Sequence, residues 1–128
     1  MPRTIDITFT LPWTLSGIRI TCAALTTANR MLLRDWQRAG TPVPALYQSG
    51  VRYRLLPGPE RFSWIPIVLR RKTGDCDQLA CWRAAELQEQ GIDAVAVPIR
   101  RRENLMHIVV KHPDGRIEDP SRVLGMGK

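Results

Sequence analysis

No run of apolar residues in this chain is long enough to span a membrane as a helix, so no membrane-spanning helix is expected. The opening Met1-Pro2-Arg3-Thr4-Ile5-Asp6 lacks an export pattern, because Asp6 and Thr8 interrupt any apolar segment; the expected location is cytoplasmic. Cysteine is scarce and odd in number, at three, which argues against a disulfide framework and for free thiols. Histidine is scarcer still, at two, so any imidazole chemistry must use His107 or His112. Internal repeats, low-complexity tracts and linkers are absent, so one domain over residues 1–128 is expected. Neither a calcium-loop sequence nor a cofactor-binding motif is present, and no cofactor is expected.

What is present suits a packed globule. Hydrophobic residues make up 44% of the chain, and the formal net charge of +7 comes mostly from arginine. Ile5 to Leu11 alternates strictly and predicts a strand that Pro12 ends. Ile20, Ala24, Leu25, Ala28, Leu32 and Trp36 recur at helical spacing and predict a helix over 21–38, closed by Gly40 and Pro42. Cys22 on that helix reads as a small buried apolar residue. The proline- and glycine-rich stretch from Thr41 to Trp64 predicts an ordered surface loop, with a short strand at 51–55. Ser63 to Leu69 predicts a short helix with Pro66 in its first turn. A further helix runs from Cys76 to about Gln90 and stops at Gly91. Cys76, Ala80, Ala84 and Leu87 form its expected inward stripe, with Arg83, Glu86, Gln88 and Glu89 solvated. Asp93–Ile99 and Leu105–His112 predict two strands joined by a polar connection at 100–104.

Chemistry concentrates at the start of the second long helix. In Thr73-Gly74-Asp75-Cys76-Asp77-Gln78, Asp75 and Gln78 form a capping-box pattern. Cys76 then lies in the first turn, where free N–H groups and the helix dipole favour a thiolate. Further on, His112-Pro113-Asp114-Gly115-Arg116 has the chemistry of a type I turn closed by a glycine bulge. A three-residue loop of this kind sets Val109 opposite Asp119. Asp119 then shares a face with His107, diagonally across the hairpin and within hydrogen-bonding reach. Cys76, His107 and Asp119 thus supply a nucleophile, a base and an orienting acid. Backbone N–H groups at the helix start, including that of Cys76, are the expected oxyanion donors. Trp64 and Gln78 are candidates for a second donor, which spacing alone does not choose between.

Gly74-Asp75-Cys76-Asp77-Gln78-Leu79-Ala80 resembles the nucleophile motif of the transglutaminase-like superfamily. Met106-His107-Ile108-Val109-Val110 resembles its histidine strand, and Ile117-Glu118-Asp119-Pro120-Ser121 the aspartate strand that follows. The likeness covers about residues 64–122. The wider run, with Pro44-Ala45-Leu46-Tyr47 and Val51-Arg52-Tyr53 before it and Val123-Leu124-Gly125-Met126 after it, is similar to small transglutaminase-like proteins of bacteriophages and prophages. The resemblance implies an α+β, papain-like fold with a nucleophile helix packed on an antiparallel sheet. It implies a cysteine protease, amidase or acyltransferase with catalytic Cys76, His107 and Asp119, acting on a protein or peptide substrate. It also implies a setting in the cytoplasm of a bacterial host or on the virion, with other phage structural proteins as partners. A non-catalytic head or tail component that keeps the fold is the alternative.

Two other readings are weaker. Cys76, Cys81, His107 and His112 have zinc-like spacing, but residues five apart on a helix diverge by roughly 140°, and on a strand they lie on opposite faces. Arg70-Arg71-Lys72 and Arg100-Arg101-Arg102 offer weak nucleic-acid contact through basic loops, without aromatic residues arranged for base stacking.

Overall fold

A computed structural model describes residues 10–58, 61–102 and 105–127. Most of the strand expected at the N-terminus, residues 5–9, lies outside the described residues; Thr10 and Leu11 are exposed and irregular. Among the described residues the architecture is α+β, with four helices and a three-stranded antiparallel sheet packed against two of them. Among the described residues, no helix is long and apolar enough to cross a membrane.

Helix α1 (Leu15–Arg38) starts six residues earlier than its apolar pattern indicates, because Thr14 accepts the Gly17 N–H and caps it. Its buried face differs from the expected one. Ile18, Cys22, Leu25, Thr26 and Asn29 are buried, whereas Ile20 is 57% exposed and Ala24 is exposed. The inward stripe includes polar residues because those residues have work there. Asn29 Oδ1 accepts the Ile65 N–H at 3.0 Å, at the start of helix α2 (Ile65–Arg71). That helix carries Pro66 in its first turn, as expected.

The loop before α2 makes one 3₁₀ turn, Leu46–Gln48, and a two-residue strand, β1 (Arg52–Tyr53). β1 pairs in parallel with β2 (Thr73–Gly74), directly before Cys76. Helix α3 (Cys76–Glu89) is buried on nearly every side rather than along one stripe. Leu79, Ala80, Cys81, Trp82, Ala84 and Ala85 are all inaccessible. One side of α3 meets Ile18, Cys22 and Leu25 of α1 and the sheet residues Ile108 and Val110. Another side meets Leu46, Val51, Ile65, Val68 and Leu124.

The sheet order is β3-β4-β5, from Val95–Arg102, Leu105–Lys111 and Ile117–Glu118. β3 runs through Arg100–Arg102, which had been expected in the connection; Glu103 and Asn104 lie outside the described residues. β4 and β5 pair as Val110↔Glu118 and Lys111↔Ile117, the register that a three-residue turn requires. His112 donates its N–H to Arg116 O and accepts that of Gly115, whose φ of 90° is the left-handed bulge position. A short helix, α4 (Pro120–Val123), follows.

The charges on α3 are not solvated, contrary to expectation. Arg83 Nε donates to Glu118 Oε2 at 2.6 Å, and the same oxygen accepts the Tyr47 hydroxyl. Glu118 Oε1 pairs with His112 Nε2 at 2.8 Å. Glu86 accepts the Leu46 N–H and the Trp82 indole N–H, and Glu89 pairs with Arg30 and Arg34. Burial alone would raise the Glu118 carboxyl. Hydrogen bonds from Tyr47, Arg83 and His112 outweigh it and hold the group below its ordinary value. Glu118 therefore contributes stability that is present above the unfolded carboxylate value, ~4.3, and lost as pH falls through the lowered folded value. Glu118→Gln is expected to lower the denaturation free energy at pH 7 by about 1–3 kcal/mol. Urea titrations from pH 7 to pH 3 should also show a shallower acid loss in this variant than in the parent.

Candidate active site

Gly74, Asp75 and Cys76 form the entry to α3. A Cβ on Gly74 would lie 2.9 Å from Leu79 Cδ2 and 3.3 Å from Val68 Cγ1, so β2 reaches the helix start closely only with glycine there. The expected capping box is formed. Asp75 N–H donates to Gln78 Oε1 at 3.3 Å, and the Asp75 carboxylate caps the helix. One consequence corrects the sequence reading: Cys76 N–H donates to Asp75 Oδ1 at 2.6 Å, so the helix cap already occupies it. Gln78 is also committed, with Nε2 donating to Arg61 O at 2.8 Å. Trp64, at the N-cap of α2, is exposed.

His107 lies buried in β4, paired across the sheet with Ile99. Its Nε2 is 2.9 Å from Asp119 Oδ2. Since a carboxylate only accepts, Nε2 carries the proton and Nδ1 has a free lone pair. The hairpin register brings these two side chains together. Asp119 Oδ2 also receives Arg101 Nη2 at 3.4 Å and lies 3.7 Å from Arg122 Nε.

The Cys76 sulfur lies against the backbone of Ile108, the residue next to His107, and against the Asp75 carboxylate. No hydrogen bond joins Sγ to His107 in this geometry. The thiolate expectation is reversed. Burial pushes the Cys76 thiol up, and the charges of Asp75 and Asp77 add to it, while the Ile108 backbone contact works the other way. The other two cysteines are fully buried, with Cys81 Sγ directed at Cys22 O at 3.6 Å.

Tyr53 is a neighbour that sequence reading missed. Burial, followed by the charges of Asp75, Cys76, Asp119 and Asp77, pushes its phenol up and keeps the O–H protonated. No local sequence signal marks it: its place comes from the pairing of Tyr53 with Gly74, with exposed Arg52 and Arg54 on either side. Of the four residues with zinc-like spacing, Cys81 faces Cys22 and His112 faces Glu118, so the set does not converge. Among the described residues, Asp75, Cys76 and Asp77 do bring ligand-type atoms within 4.8 Å of one another. They lie at a helix N-terminus, whose positive end opposes a cation. A cleft of about 460 Å³ lies toward the other end of α3, between Arg83, Leu87, Gln90 and His112. It includes none of Cys76, His107 or Asp119.

The geometry predicts the Nε2–H tautomer for both histidines, since Arg116 Nη2 donates to His112 Nδ1 at 3.3 Å. Long-range ¹⁵N NMR at pH 8 should show it, and Asp119→Ala should leave His107 a tautomer mixture while His112 is unchanged. No protein-family model, curated protein or solved structure matches the chain.

Proposed function

We propose that this chain is a transglutaminase-like cysteine hydrolase, a peptidase or amidase, that cleaves an amide through Cys76, His107 and Asp119. The observation that carries this reading is the 2.9 Å bond between His107 Nε2 and Asp119 Oδ2, with Cys76 Sγ on the neighbouring Ile108 backbone. The phage setting, the host-cytoplasmic or virion location and the peptide or protein substrate rest on the sequence resemblance alone.

In the proposed mechanism the resting sulfur is a neutral thiol. His107 Nδ1 takes its proton as Sγ bonds to the carbonyl carbon and the carbonyl electron pair moves onto oxygen. Tyr53, whose backbone pairs with Gly74 at the entry to α3 and whose phenol stays protonated, is the proposed donor to that oxyanion. Collapse breaks the C–N bond, and the leaving amine takes the proton from His107. Water then attacks the thioester, giving its proton to His107. The C–S bond breaks, the sulfur recovers the proton, and the acid is released. An amine in place of water would make the same site an acyltransferase. Asp119 holds the imidazole in the required tautomer throughout.

The second reading is a non-catalytic component of a phage head or tail. The absence of a Cys76–His107 hydrogen bond favours it. Alkylation with iodoacetamide, mapped by peptide mass spectrometry, separates the two. The enzyme reading expects Cys76 to react at least about tenfold faster than buried Cys22 and Cys81, with His107→Ala slowing it about 100-fold. Because the thiol is pushed up, the His107→Ala rate should keep rising above the ordinary thiol value of ~8.5 rather than level off there. If Cys76 reacts no faster than Cys22 or Cys81, the catalytic reading fails and the structural one stands.

A further inference from the structure

We propose that Arg101 and Arg122 form a carboxylate-recognition subsite at Asp119, on the His107 side of the proposed active site, so that the amide cleaved here lies in an acidic peptide segment. This rests on the reading of Cys76 as the nucleophile.

Arg101 occupies an exceptional backbone position. The β3–β4 register passes from Arg100↔Met106 to Arg102↔Leu105, leaving Arg101 as the extra residue of a β-bulge. A bulge re-aims a side chain that regular pleating would direct elsewhere. Here it brings the guanidinium to Asp119, the acid that also holds His107. Arg122 reaches the same carboxylate from α4, three residues along the chain.

Neither arginine is used up by this contact. Arg101 meets Oδ2 with one nitrogen at 3.4 Å, and Arg122 Nε lies 3.7 Å from the same oxygen. The other oxygen, Oδ1, is buried and has no partner, so neither guanidinium grips the carboxylate with both arms of its fork. The side chains are 35% and 60% exposed, so each guanidinium keeps N–H donors that Asp119 does not take and that a second carboxylate could bond. One aspartate shared by two arginines leaves this cluster with one positive charge in excess while the imidazole is neutral, and the carboxylates of Asp75 and Asp77 lie on the Cys76 side of it. A peptide carboxylate would complete it. Nucleic acid is less well matched, since this is a compact two-arginine site around one acid rather than an extended track with stacked aromatic residues.

The test compares alkylation of Cys76 by iodoacetate and by iodoacetamide. The ratio of the two rates cancels changes in the thiol's own reactivity and reports local charge. Asp75 and Asp77 beside the sulfur oppose the arginines, so the preference is read against substitution: at low salt the parent ratio is expected to exceed that of Arg101→Gln with Arg122→Gln by about fivefold, and the difference to shrink in 0.5 M salt. Arg101→Gln with Arg122→Gln should remove most of the preference, and Arg101→Lys with Arg122→Lys should retain it. An unchanged ratio in the glutamine variant overturns the proposal. Failure of iodoacetamide itself to modify Cys76 defeats the nucleophile reading and this subsite with it. Reaction without an iodoacetate preference over the glutamine variant defeats only the subsite. In a second arm, hexaglutamate should slow iodoacetamide labelling of the parent and hexalysine should not. Protection by a single-stranded oligodeoxynucleotide without protection by hexaglutamate would replace the acidic peptide with nucleic acid.

Discussion

The structure depends on burying a whole helix. A surface helix keeps one polar face in water, but α3 is enclosed by α1, the sheet, α2 and the chain around Leu46 and Leu124. Its small residues make this possible: Ala80, Cys81, Ala84 and Ala85 let the neighbouring elements approach on several sides. Trp82, fully buried among them, fills the space on the side of Leu46, Val68 and Leu124. Enclosure leaves the polar residues of α3 little water, so each becomes a tie to another part of the chain. Gln78 holds the Arg61 carbonyl, Glu86 the Leu46 amide, Arg83 the β5 glutamate, and Gln88 the Ala94 carbonyl. Gln78 thereby fixes the chain at Arg61 near the Cys76 end of the helix, while Arg83, Glu86 and Gln88 anchor its later turns.

This explains what the sequence made legible. The turn at Pro113–Gly115 and the cap at Asp75–Gln78 obey rules that act within a few residues, so the His107–Asp119 pairing could be worked out from them. The extent of α3 and the proline-led start of α2 follow local rules too. The faces of α1 and α3 do not. Which side of α1 is buried was decided by Asn29 capping α2, a contact 36 residues away in sequence. The charges at Arg83, Glu86 and Glu89 look solvated in a helical wheel and become half-buried only because other elements close over them. Tyr53 and Arg101 were illegible for the same reason: one depends on a parallel pairing with β2, the other on a bulge in β3.

Cys76 shows the limit of local reasoning most clearly. A helix N-terminus favours an anion, which on its own predicts a thiolate. The residues that make this N-terminus are acidic, however. Asp75 takes the Cys76 N–H for its own carboxylate, and the sulfur is left beside two negative groups in a largely buried position. Desolvation and like charge exceed what the helix end and the Ile108 backbone supply.

A neutral resting thiol does not disqualify the nucleophile; it changes what the base must do. In a preformed ion pair the histidine already holds the proton, and substrate meets a thiolate. In the proposed enzyme His107 would accept that proton during attack, which requires an unprotonated Nδ1 on the sulfur side. The Asp119 bond to Nε2 fixes that tautomer. The charge separation between sulfur and imidazole would then develop only in the transition state, where the Asp119 carboxylate stabilises the imidazolium that forms. Interactions made in that state and not before it are the ones that accelerate a reaction. Burial that keeps the thiol neutral at rest is therefore compatible with the proposed chemistry, provided that the arriving electrophile, substrate and alkylating agent alike, brings the sulfur and His107 Nδ1 within reach of each other.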